Sequence, residues 1–403
     1  MIGYYSVWPS FVELGVLLAC AATPVFRAAD SAPIPASNRI DTLDGLRGFL
    51  ALSVFFHHAA VYQQYLRYHI WELPPLGFYS LSGPFGVSMF FMVTGYLFYS
   101  QLLRAKGSPN WKKLYVGRIF RILPLYWFAI VLVLIGVGFH TGWRLNEPPR
   151  QLLSELAKWS AGGVFVESPI NHYDHITQIT ADVTWTLGYE WRFYLALLAL
   201  AIPTRWRWSG LVLPPVLLSL VILHQSFGQS TTPWMCSALF LIGMSTASFR
   251  AAFPDFNFKG IPGSLLVVAL LVWTFFNPPS FPIVVLGEAF LLIACGADLF
   301  GLLRWKPARR LGNVSYGIYL LQGPVLALGA SIGAIRNLDL RSPLGHWTVT
   351  LLEGFFLISI ATCTHVWIER PGIDLGRRLL SRQSALQDFT PIVGRPRKAK
   401  VST

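Results

Sequence analysis

"DGLRGFLALSVFFHHAAVY", Asp44 to Tyr62, is apolar enough to enter a bilayer, yet it holds an Asp, an Arg and two adjacent His residues. Read as a helix, the eleven positions from Arg47 to His58 make three turns plus about 20°, so the two side chains share a face. Asp44 lies one turn below Arg47 on that side. The rise of ~1.5 Å per residue sets His58 about 16 Å along the axis from Arg47. That spacing places Arg47 at a membrane interface and His58 near mid-bilayer. His57 points about 100° away and reads as a packed or hydrogen-bonded neighbour. One histidine alone would read as a partner for another helix. An aligned Asp, Arg and His reads as a site, because ionisable groups in a membrane are expensive and tend to line pathways or reaction centres. Histidine also titrates near neutrality, which suits a general base.

The rest of the chain supports a membrane setting. Of 403 residues, 54% are hydrophobic and only 13% charged, against about 25% charged in soluble domains. Apolar runs near the ~20 residues of a spanning helix recur throughout. They predict an all-α polytopic membrane protein with ten spans at roughly 45–66, 77–99, 119–139, 186–202, 210–225, 233–249, 262–276, 282–300, 314–335 and 347–368. Of 32 Lys and Arg residues, only Arg67, Arg144, Arg150, Lys158, Arg336 and Arg341 fall in one set of alternate loops, and Arg192 falls inside a span. The others, Arg39 and Arg47 among them, gather on the opposite side, which predicts cytoplasmic N- and C-termini. The +13 net charge is therefore a topology signal rather than a nucleic-acid stripe.

Residues 1–38 read as an N-terminal extension of uncertain structure, loosely associated: "VELGVLLACAATPVF" lacks a preceding basic residue and is interrupted by Glu13. A spanning domain of 39–375 and a basic cytoplasmic tail of 376–403 follow. Segment 140–185 is the one long outer loop, a place where function often resides. Cys20, Cys236, Cys295 and Cys363 form no metal or disulfide pattern and read as packing residues, so no metal is expected.

Arg118 and Arg121, one turn apart, open the third span, with Lys112 and Lys113 nearby. They read equally as topology anchors or as ligands for phosphate. Glu190 is expected near the outer end of the fourth span, positioning a substrate or orienting His58. A weaker expectation groups Glu288 and Glu353 with Trp185, Trp191 and Tyr194 in a chamber for a sugar, though interfacial aromatics are ordinary membrane anchors. Gly86 and Gly95 read as close-packing sites between helices.

"RIDTLDGLRGFLALSVFFHH" resembles the start of the acyltransferase 3 family, whose Arg and His are matched by Arg47 and His58. "GVSMFFMVTGYLFY" (Gly86–Tyr99), "RIFRILPLYW" (Arg118–Trp127), "TWTLGYEWRFY" (Thr184–Tyr194), "LGNVSYGIYLLQGPV" (Leu311–Val325) and "ERP" (Glu369–Pro371) are similar to the family's later motifs, in order, over about 39 to 375. Thr94 replaces the usual Ser, and Gln322 stands where many members have His, so position 322 is assigned no proton transfer. The resemblance implies an acyl-CoA-dependent O-acyltransferase of the inner (plasma) membrane. It would move an acyl group, by default acetyl, to a hydroxyl of an envelope or exported glycan. His58 and Glu190 would then be catalytic, with Arg47, Arg118, Arg121 and Asp44 holding the acyl-CoA. His58 would act as general base or covalent relay. A proton-coupled transporter and a lipid acyltransferase are the rival readings; oligomeric state is open.

Overall fold

The computed structural model describes residues 3–30, 40–74, 77–165, 168–226, 232–276 and 282–388. Arg39 and the end of the basic tail lie outside the described residues. Among those described there is no strand, only one isolated antiparallel bridge between Ile170 and Tyr173. The chain is otherwise a helical bundle.

Its centre is α2 (Asp41–Tyr68), which packs on α3 (Gly77–Arg104), α12 (Lys306–Asn313) and α13 (Ser315–Ser331). Glycines set how near these axes come. A Cβ on Gly312 would overlap the Asp44 carbonyl, and one on Gly45 the Leu303 carbonyl. A Cβ on Gly95 would strike the carbonyl of Phe240 in α9 (Thr232–Ala252). Gly86 abuts Val54 and Leu50, so both glycines singled out in the sequence are close-approach positions.

Among the described residues, five helices are long and apolar enough to cross a membrane: α3, α4 (Trp111–His140), α8 (Arg207–Ser226, over its first 18 residues), α9, and the rod that starts as α15 (Pro343–Thr364) and runs to Ser381. A sixth is α13 with α14 (Gly333–Arg341), if a pair bent by 89° counts as one span. All ten expected segments coincide with helix, but length and composition do not carry a count of ten. α2 has the length, at 28 residues, but its charges lower its apolarity. Beyond α5 (Pro149–Ser160) and α6 (Thr177–Thr180) of the outer loop, α7 (Trp185–Leu200), α10 (Ile261–Phe276) and α11 (Ile283–Ala294) have 16, 16 and 12 residues. Two expected boundaries move. The 282–300 segment leaves the helix at Cys295, where Gly296, Leu299 and Phe300 take positive φ. The 314–335 segment breaks at Ile332.

The N-terminal residues do not associate loosely. α1 (Val7–Ala22) buries Leu17 and Ala21 against the bundle. The Arg310 guanidinium donates to both carboxylate oxygens of Asp30, at 2.7 and 3.0 Å, and to the carbonyls of Ala21 and Ala22 at the end of α1. One cation thus satisfies a helix C-terminus and a carboxylate together. The tail after Pro371 likewise begins as helix: α16 (Arg370–Asp388) lays Gly372 and Gly376 against Phe120 and Pro124 of α4. Pro124 has no N–H to offer the Phe120 carbonyl, which leaves room for that approach. All four cysteines are free thiols; Cys236 and Cys295 are buried, whereas Cys363 is exposed and does not pack.

Candidate active site

Two of the cavities along α2 hold residues singled out in the sequence. The first, of 190 Å³, is lined by Arg47, by Thr94 and Gln101 of α3, by Arg118 and Arg121 of α4, and by Glu190 and Tyr194 of α7. Arg47 lies within electrostatic reach of Asp44, Arg118, Glu190 and Glu369, and Arg121 faces Arg118, Arg47 and Glu369. The Arg118 guanidinium sits 4.7 Å above the Phe98 ring, a cation–π contact that fixes its direction. The Tyr194 hydroxyl donates to Glu190 Oε2 at 2.7 Å. These two residues are one turn apart on α7 and therefore share its face. Arg192, two positions from Glu190, stacks instead over Tyr189.

The second cavity, of 340 Å³, is lined by Val54, His57 and His58 of α2, by the 71–73 segment, by Ala181–Val183, by Trp185 and by Cys236. His58 Nδ1 lies 3.0 Å from the Val54 carbonyl and 3.3 Å from Gln322 Oε1. A carbonyl only accepts, so Nδ1 carries the proton and the neutral ring keeps its lone pair on Nε2. The Gln322 amide donates its Nε2–H to the Tyr319 carbonyl at 2.8 Å, which turns Oε1 towards His58. His57 donates from Nδ1 to the Tyr79 carbonyl at 2.5 Å, as a hydrogen-bonded neighbour would, but it also lines this cavity. Its ring meets that of His58 edge-on, with centroids 4.8 Å apart.

Val87, Phe91 and Tyr319 line both cavities and form a common wall. The Tyr319 hydroxyl donates to the Val183 carbonyl and lies 3.1 Å from Thr186 Oγ1.

The long outer loop reaches this wall. Its Thr180–Ala181 backbone passes so close to Gly323 that a Cβ there would collide. Tyr62 donates to the Gln178 carbonyl. Ala181 and Asp182 both hold positive φ, 53° and 50°, a costly conformation that persists where surrounding contacts impose it. Farther out, Glu147 and Glu155 both accept from the Asn171 N–H, at 2.9 and 3.2 Å.

Of the six residues singled out in the sequence, the structure brings Arg47, Arg118, Arg121 and Glu190 into one cavity and puts His58 in the other. Asp44 lines neither, but sits beside Arg47. Glu190 does not orient His58, whose partners are Val54 and Gln322; its own face of α7 turns to the arginines. The expected sugar chamber is also dispersed. Trp185 lines the His58 cavity, and Trp191 donates to the Gly162 carbonyl. Tyr194 lines the arginine cavity, Glu288 a third one, and Glu353 a small space beside Gly329. Sequence reasoning missed Gln322 and Glu369 as neighbours of the site. Glu369 is buried, pairs with His365 at 3.3 Å and faces Arg47 and Arg121; the "ERP" motif was its only signal.

Residues 40–369 match the family model described as an acyltransferase domain. The chain belongs to the acyltransferase 3 family. Over 386 residues it is 26% identical to "Putative peptidoglycan O-acetyltransferase YrhL" of Bacillus subtilis, covering 85% of this chain and 56% of that protein. It is 23% identical over 379 residues to the peptidoglycan O-acetyltransferase OatA of Listeria monocytogenes, covering 82% and 55%. It is 23% identical to Nodulation protein 10 of Rhizobium leguminosarum, covering 86% and 97%. The chain spans about half the length of the first two relatives. No solved structure matches it.

Proposed function

We propose that this acyltransferase 3 chain is an inner-membrane O-acyltransferase with cytoplasmic termini. It moves an acyl group, by default acetyl, from acyl-CoA to a hydroxyl of an envelope or exported glycan. The observation that carries the reading is the pair of cavities meeting at the Val87–Phe91–Tyr319 wall, one with three arginines and the other with the free nitrogen of His58. Arg47, Arg118 and Arg121 suit the phosphates of the donor, with guanidinium forks matching phosphate oxygens. A cavity of 190 Å³ is too small for a whole coenzyme, so only part of it would lodge there. Asp44, Glu190 and Glu369 hold the arginines in place. In this reading ten crossings include the short helices α7, α10 and α11.

In the chemical step, Nε2 of His58 takes the proton of the acceptor hydroxyl, whose oxygen attacks the thioester carbonyl. The resulting imidazolium returns that proton to the departing thiolate. Val54 and Gln322 stabilise the charged ring through Nδ1–H. In the covalent variant, Nε2 attacks the thioester carbonyl, the C–S bond breaks and the thiolate leaves; the acceptor oxygen then attacks the acyl carbon, Nε2 departs, and the hydroxyl proton goes to the thiolate.

The test is turnover of labelled acetyl-CoA by the purified chain in nanodiscs, with and without a polysaccharide acceptor. The reading predicts label on the acceptor, and a loss of roughly 10²–10⁴-fold in His58→Ala with the fold retained. A transporter using the same charges would leave the donor unconsumed. Labelled His58 in a quenched reaction selects the covalent variant.

A further inference from the structure

The two cavities differ in charge as well as position. Three arginines and one glutamate line the first. The second has Glu72 and Asp182 on its lining and, among the described residues, no Lys or Arg at all. Glu72 and Asp182 are exposed residues, whereas His57 is buried and His58 half-buried, so the acidic pair stands at the rim, with burial holding the Asp182 carboxyl above the usual carboxylate range. Trp71 and Trp185 offer aromatic faces inside the same space. Trp71 is braced edge-on by Tyr62 and Tyr65, with centroids 5.0 and 5.8 Å away. Asp182 is the product of the strained Ala181–Asp182 turn, pressed against α13 at Gly323. Backbone strain held in place by close packing marks a side chain whose direction is imposed.

We propose that this cavity is the acceptor subsite and that it takes a neutral or amino-bearing sugar while rejecting a sugar acid. The inference rests on the reading of the chain as a glycan acyltransferase and deepens it. Trp71 and Trp185 provide platforms for the apolar face of a pyranose ring. Glu72 and Asp182 accept hydrogen bonds from its hydroxyls, or pair with an ammonium group. A volume of 340 Å³ is at the small end of ligand pockets and suits a ring or two at a chain end. A carboxylate on the ring would face two like charges with no cation to offset them, which is selectivity by repulsion. The arginine cavity has the opposite bias. Each substrate is thereby kept from the other's place: the donor's phosphates are repelled from the His58 side, and a neutral sugar gains nothing from the arginines.

The experiment is ligand binding by saturation-transfer NMR on the full chain in nanodiscs, in the absence of any acyl donor. The probes are cellobiose, the deacetylated chitin disaccharide and cellobiouronic acid. The inference predicts that the first two bind and that the acid binds at least about tenfold more weakly. Glu72→Gln combined with Asp182→Asn removes that difference, and Trp185→Ala weakens all three. Binding of the acid as tight as that of cellobiose overturns the inference. So does an unchanged ratio in the double variant, or no binding of any probe at millimolar concentration. Acetyl-CoA turnover measured on the same preparations separates the two claims. The predicted binding order without turnover sinks the transferase reading alone, and turnover without that order sinks this inference alone.

Discussion

His58 owes its chemistry to two acceptors on one nitrogen. The Val54 carbonyl, one turn back on its own helix, fixes the tautomer, and Gln322, from a helix 264 positions away, holds the ring's direction. In Gln322→Leu the carbonyl still keeps the proton on Nδ1, but the ring loses a neutral hydrogen bond of about 0.5–1.5 kcal/mol. Transfer should slow by roughly two- to tenfold with KM for the donor unchanged, measured by steady-state turnover; no change in kcat would remove Gln322 from the site. The Arg47–His58 alignment was legible in the sequence because helical geometry is local and periodic. The neighbours of these residues were not. Glu190 turns to the arginines through the tertiary placement of α7, and Gln322 and Glu369 arrive from the far end of the chain. No local period encodes such a meeting.

At the scale of elements, glycine contacts and a buried carboxyl pair hold the site's framework. Gly312 lets α12 touch the Asp44 carbonyl, one turn from Arg47. Gly312→Ala forces backbone against side chain, and overpacking of that kind costs about 1–3 kcal/mol. The detergent-solubilised protein should melt several degrees lower; an unchanged melting temperature would mean that α2 and α12 separate freely. In the outer loop, burial and the adjacent Glu155 carboxyl hold Glu147 above the usual carboxylate range. The folded loop then keeps a proton that the unfolded chain releases above about pH 4.5. Its stability is therefore fullest in acid and falls as pH rises through the raised value. Hydrogen-exchange protection of the Asn171 amide, corrected for intrinsic rate, should decline over that range, and Glu147→Gln should flatten the decline. Equal pH dependence in both proteins would contradict the raised Glu147 carboxyl. Most helices were visible as apolar runs. The break at Cys295, whose carbonyl accepts from the Phe258 N–H, and the docking of α1 through Arg310 and Asp30 depend on partners remote in sequence.

Across the whole molecule, the bundle keeps two cavities of opposite charge on either side of a thin wall, with α2 carrying an arginine into one and a histidine into the other. The family was legible from motif order, whereas the wall was not, because Val87, Phe91 and Tyr319 read as ordinary apolar packing until α3 and α13 bring them together. A structure of the nanodisc-embedded chain with coenzyme A bound tests this division most directly. The account predicts density for the coenzyme's phosphates against Arg47, Arg118 and Arg121, with the thiol end directed at Tyr319. The coenzyme's phosphates in the His57–His58 cavity, or away from the three arginines, would contradict it.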